Sequence, residues 1–250
     1  MRYGFTDAAR FEWVKLRTLR STWWLAAATV AVMAGGGSAV GAGYRGHVPT
    51  ATVAQIVDNS LSGAVLAQLL LGALGVFTAA GTRQATLAAV PRRGLASAAK
   101  AVVFGAFAAV VGILGAVLAF LAAQVATAGT TIPRSSLSDP TMLKPVLLTG
   151  LYLALIGLVG LGLGTLLRNA AAAIGTLFAL IFVPAFLGAP FGSSGIAVLR
   201  FVPIIILANS VITVSQSAEA LNAWAGTAVI ALYAAVAIGA GIARFTRRDA

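Results

Sequence analysis

Cysteine is absent from this 250-residue chain, which excludes disulfides, thiolate nucleophiles and cysteine metal sites. Histidine occurs once, at His47, so a histidine metal site is excluded as well. The six acids are Asp7, Glu12, Asp58, Asp139, Glu219 and Asp249, and none forms a close pair suited to acid–base work. The three lysines follow Val14, Ala99 and Leu143. None stands in a Gly-Lys-Ser/Thr context, so the chain has no Walker A loop and does not bind ATP that way by itself. Charged residues make up only 9% of the chain, against about 25% in soluble domains.

The scarcity of charge is concentrated. Residues 22–42, 61–81, 102–126, 146–167, 171–190 and 222–243 contain no Asp, Glu, Lys, Arg or His. A helix crossing roughly 30 Å of hydrocarbon needs about 20 such residues. With 60% hydrophobic residues and a mean hydropathy of +0.97, the chain reads as one all-α, polytopic membrane domain with six transmembrane helices. An ionisable group inside a bilayer costs several kcal/mol and marks ion or proton coupling. These runs have none, so the pattern predicts work driven from outside them.

What charge remains is positive, a net +11. Cytoplasmic loops of membrane proteins collect Lys and Arg, which explains the excess without nucleic acid. With six spans and a cytoplasmic N-terminus, thirteen of the seventeen cations fall inside; Arg45, Arg134, Lys144 and Arg200 fall outside. Both termini are therefore expected in the cytoplasm. Residues 196–214 are apolar enough to suggest a seventh crossing, but that would move Arg244, Arg247 and Arg248 outside. The expectation is an outer 191–221 segment that re-enters or lies on the surface. The polar leader before 25–33 is too long for a cleaved signal peptide. The excess of arginine (14) over lysine (3), with abundant alanine and glycine, fits a GC-rich bacterial genome and hence the bacterial cytoplasmic membrane.

Residues 6–20 read as an interfacial helix with Thr6 as N-cap. Phe5, Ala9, Trp13 and Leu16 share one arc, Arg10, Arg17 and Asp7 lie opposite, and Glu12 interrupts the apolar arc in a position that calls for a cationic partner. Trp23 and Trp24 stand where interface anchors do. Between spans two and three, Thr82 can cap a helix that Pro91 stops. That basic loop either rests on anionic lipid or docks a cytoplasmic partner. Gly37/Gly41, Gly160/Gly164 and Gly188/Gly192 have small-xxx-small spacing, which permits close helix approach, and Gly37 and Gly41 are the expected dimer-packing pair.

Two segments carry a family likeness. Glu12-Trp-Val-Lys-Leu-Arg-Thr-Leu-Arg-Ser-Thr-Trp23 resembles the start of ABC-2-type exporter permeases, especially actinobacterial ones. Gly81-Thr-Arg-Gln-Ala-Thr-Leu-Ala-Ala-Val-Pro-Arg-Arg93 is similar to the loop after their second span. Phe77 stands where many relatives place an acidic residue. The resemblance implies ABC-2-type permease architecture, with a connecting helix carrying Glu12, Lys15 and Arg17. It also implies a coupling element over 82–93 carrying Arg83, Gln84, Thr86, Leu87, Arg92 and Arg93. Both would contact a separate cytoplasmic ATP-binding subunit that holds ATP and Mg, leaving no cofactor and no catalysis on this chain. A second permease copy would complete the exporter. The alternatives are a stand-alone secondary carrier or channel, or a non-transporting scaffold subunit.

Overall fold

A computed structural model of the chain describes residues 4–47, 52–80, 93–130, 136–167, 169–188, 199–211 and 221–247. Regular structure among them is entirely helical. The helices are α1 (Phe5–Thr18), α2 (Arg20–His47), α3 (Val53–Ser60), α4 (Ala64–Ala80), α5 (Arg93–Ala126), α6 (Pro140–Leu167), α7 (Ala170–Gly188), α8 (Pro203–Ile206) and α9 (Ala223–Arg247). Six stretches are long and apolar enough to cross a membrane: Arg20–Arg45, Val53–Ala79, Gly94–Ala126, Pro140–Leu167, Ala170–Leu187 and Ala223–Arg244.

The helices overrun the charge-free runs because polar caps, not the loss of hydrophobicity, start them. Thr52 and Gln55 form a capping box that begins α3 upstream of the apolar run: the Gln55 N–H donates to Thr52 Oγ1 and the Thr52 N–H to Gln55 Oε1. Asp139 accepts from the Thr141 N–H at 2.9 Å, with Pro140 at the first helical position of α6. Asn169 and Asn222 cap α7 and α9 in the same way. The expectation that Thr6 caps α1 is corrected: Gly4 is the N-cap, and Asp7 Oδ2 accepts the Gly4 N–H.

Contacts rather than charge establish how the helices run. Between α4 and α6 the pairs Gln68–Tyr152, Gly72–Ile156, Gly75–Leu161 and Val76–Gly164 rise together, so the two are parallel. Between α2 and α5, Gly115 meets Met33, Gly37 meets Ala119 and Gly41 meets Ala123, again parallel. Between α5 and α6, Gly105 meets Leu158 and Gly112 meets Gly150, which is antiparallel. Between α6 and α9, Gly162 meets Ala237 and Thr165 meets Gly241, which is parallel. Because α9 runs parallel to α6 and α7 crosses once between them, residues 189–222 start and finish at the same end of the bundle. The described part of that segment, 199–211, packs against α6, α7 and α9.

Glycine sets the spacing of these pairs. A methyl on Gly160 would overlap the Gly72 carbonyl oxygen, and one on Gly75 the Gly157 carbonyl oxygen, so α4 and α6 touch backbone to backbone. Gly37 and Gly41 serve the same purpose between α2 and α5, where Cβ atoms would strike Ala119, Ala123 and Ala126. The expectation that this pair packs a dimer is therefore corrected. Its open face is already filled by α5 of the same chain. Helix α6 is the hub and the most buried of the six long helices, whereas α7 is the least buried and turns most of its side chains outward.

Substituting Gly160 by Ala forces a methyl into the Gly72 backbone and should destabilise the bundle by about 1–3 kcal/mol. Gly175→Ala, where a Cβ meets nothing within 4 Å, should be neutral or stabilising by up to about 1 kcal/mol. Thermal unfolding in detergent separates the two. Equal melting temperatures would show that the α4–α6 contact does not need glycine.

Candidate functional site

The end of the bundle that carries α1 also carries the C-termini of α4, α6 and α9 and the start of α5. This is the basic end anticipated from the charge pattern. Helix α1 lies against α5 through Ala8, Glu12 and Leu16, which are the buried residues of this helix. The arc expected from periodicity is therefore rotated. Its centre is Glu12, and Trp13 lies on its flank, 44% exposed.

A buried carboxylate is costly unless paired. Glu12, 3% exposed, accepts a hydrogen bond from Lys15 Nζ at 2.9 Å, one helical turn on. The Lys15 ammonium also sits 4.8 Å from the centre of the Phe11 ring, a cation–π contact. The cationic partner that the sequence demanded for Glu12 thus comes from the same helix. Arg17, the third connecting-helix residue, is exposed.

The elbow between α1 and α2 is built on aromatics. Trp13 and Trp23 both meet the Phe107 ring of α5 edge-on, at centroid distances of 6.5 and 6.1 Å. Trp23 Nε1 also donates to the Arg17 carbonyl oxygen at 3.0 Å, satisfying one of the orphan acceptors at the end of α1. Leu19 between the helices is extended (ψ 117°), so α1 turns away from α2 and folds back onto α5. Phe107 fixes both helices, and nothing in the sequence around it announced that role.

Arginines close two other helix ends. Arg244 Nη1 donates to the Leu166 carbonyl at 2.9 Å, and Arg45 Nη2 to the Ala128 carbonyl at 3.2 Å. Each places a cation at the C-terminus of a neighbouring parallel helix, where the dipole favours it.

Toward the opposite end lies a polar contact made without any charged residue. Tyr152 and Gln68 are fully buried, and the Tyr152 hydroxyl faces two acceptors, Gln68 Oε1 at 2.7 Å and the Pro203 carbonyl at 3.0 Å. Tyr233 donates to the Phe201 carbonyl at 3.1 Å. Two phenols from two helices thus hold the broken segment around α8, which continues as a π-turn over Leu207–Val211. Tyr152 stands in the middle third of α6, so the described part of this segment is anchored among the helices at Pro203. Lone polar residues in otherwise apolar runs were the available signal.

Of the coupling residues, Arg83, Gln84, Thr86, Leu87 and Arg92 lie outside the described residues. Arg93 opens α5. No group of three or more His, Cys, Asp or Glu gathers as a metal site among the described residues.

Lys15→Met should strand the Glu12 carboxylate, destabilising α1 docking by about 1–3 kcal/mol, less than a fully buried pair because Lys15 is partly solvated. Adding Glu12→Gln should recover most of it. Thermal unfolding together with the tryptophan emission maximum reads this, and no recovery in the double variant would mean that the pair is not what holds the helix.

No family model matches this chain, and no curated protein matches it.

Proposed function

We propose that this chain is the membrane subunit of an ATP-driven exporter with ABC-2-type permease architecture, powered by a separate cytoplasmic ATP-binding subunit. The observation that carries the reading is the chemistry of the bundle. Among the described residues, Glu12 is the only buried acidic or basic side chain, and it sits in α1, outside the six long apolar helices. A carrier coupled to an ion or proton gradient keeps titrating or ion-binding carboxylates in its spans. The acidic and basic residues of the long helices, such as Asp58, Lys100 and Lys144, lie toward their ends and are not buried, and the buried polar side chains of these helices are Thr, Ser, Gln and Tyr, so the drive has to be applied from outside.

The segment joining α4 to α5 leaves and re-enters at the basic end, where a partner's movement would pass directly into two helices. In this reading Gln84, Thr86 and Leu87 make the contact and Arg83, Arg92 and Arg93 supply polar support, while the ATPase on the partner binds ATP and Mg. A second copy of the chain completes the exporter and meets this one elsewhere than at Gly37 and Gly41. The basic end faces the cytoplasm under the positive-inside rule.

Two measurements test this. Leu87→Asp puts a carboxylate into the proposed apolar contact, and unpaired buried charge costs several kcal/mol. The variant should still insert, and it should lose either the co-purifying ATPase or transport. Wild-type levels of both would reduce the loop to a linker. For sidedness, Ser138→Cys should react with an impermeant thiol reagent in intact cells and Thr246→Cys only after permeabilisation; the absence of native cysteine makes the background clean. Labelling at position 246 in intact cells would overturn the orientation.

A further inference from the structure

We infer that the outward face of α1 and the first turn of α2 form a binding surface for anionic phospholipid. The inference rests on the membrane character of the bundle and not on the exporter reading. With Ala8, Glu12 and Leu16 turned to α5, the opposite side of α1 presents Arg10, Val14 and Arg17 at helical spacing, and Arg20 follows at the start of α2. All three arginines are exposed. So are Val14 (52%), Leu19 (43%), Trp23 (51%) and Trp24 (75%).

This interleaving selects the partner. Along the middle of the spans the outward side chains are large and apolar without cations, as in Val110, Leu114 and Leu118 on α5 or Phe178 and Phe186 on α7, which suits acyl chains alone. A surface that alternates aromatic, aliphatic and guanidinium groups suits the boundary layer, where apolar bodies reach acyl chains and guanidinium groups reach phosphate. Arginine binds phosphate oxygens with paired N–H donors, which favours a phosphate-bearing headgroup over water.

The local charge balance is also settled by the fold. Lys15 is committed to Glu12, and Asp7 is turned to the Gly4 N–H at the far end of the helix. Among the described residues no ion pair holds Arg10, Arg17 or Arg20 within this segment, and with Asp7 counted against them two positive charges remain. The Trp23 bond to the Arg17 carbonyl and the contact with Phe107 hold Arg17 and Arg20 on a fixed elbow, so the surface is organised before lipid arrives. Each such cation contributes on the order of fivefold in preference for an anionic membrane.

The chain's own tryptophans test this. Of the four, Trp23 and Trp24 lie at this surface, Trp13 on its flank toward α5 and Trp224 at the other end of the bundle, so a Trp224→Phe background reports this end alone. The full chain is placed in phosphatidylcholine bilayers containing either dibrominated phosphatidylglycerol or dibrominated phosphatidylcholine at equal mole fraction. The expected result is stronger quenching by the glycerol lipid, weakened by 0.5 M NaCl. Joint replacement of Arg10, Arg17 and Arg20 by Gln should remove the difference, with unchanged thermal unfolding showing that the fold is intact. Equal quenching by the two lipids in the parent overturns the inference. So does a preference that survives the triple substitution; if that variant also loses a co-purifying ATPase, the face is a protein-docking surface instead.

Discussion

In hydrocarbon a backbone N–H or C=O has no water to bond, so every polar backbone group has to be satisfied within the protein. Nearly every feature of this bundle follows from that constraint. It explains why the six long stretches are helical and why their ends carry Thr, Asp and Asn caps. It also explains why Arg45 and Arg244 reach across to the terminal carbonyls of neighbouring helices. Where the helical pattern breaks around α8, the Tyr233 hydroxyl of α9 satisfies the Phe201 carbonyl and the Tyr152 hydroxyl of α6 adds a second donor at the Pro203 carbonyl.

With backbone bonding confined within each helix, association depends on van der Waals contact, because lipid supplies no hydrophobic drive between helices. Contact is closest where side chains are smallest. The backbones of α4 and α6 meet at Gly72, Gly75, Gly157 and Gly160, and the same logic joins α2 to α5. Helix α6 touches most of the others and is accordingly the most buried. Phe104, Tyr152 and Ile156 fill the interior between these contacts, whereas Phe178, Phe186 and Val110 are turned outward, where acyl chains accommodate them.

Against this uniform interior, α1 stands apart chemically. It carries the only buried charge among the described residues and neutralises it internally through Lys15. That pairing makes it a rigid, self-contained element clamped by Phe107 and Trp23, placed beside the start of α5. The outer surface of α1, with arginines between exposed apolar side chains, suits the membrane boundary better than open water.

Helix content, the number of apolar spans and the concentration of cations at one end were legible in the sequence. Each depends on local hydrophobicity or on residue counts, which survive without knowledge of neighbours. The need of Glu12 for a cation was legible for the same reason, since an isolated carboxylate cannot be buried. Which face of α1 is buried was not, because the arc shifts by about half a quadrant once α5 is present. Nor did spacing reveal that Gly37 and Gly41 meet α5 of the same chain: small-xxx-small spacing says that a helix approaches closely but not which helix. Tyr152, Gln68 and Pro203 are 84 and 51 residues apart in sequence, so their meeting belongs to tertiary structure alone. Hydrophobic pattern is a property of the chain, and partner choice is a property of the packed bundle, where shape complementarity among many similar apolar surfaces selects one arrangement.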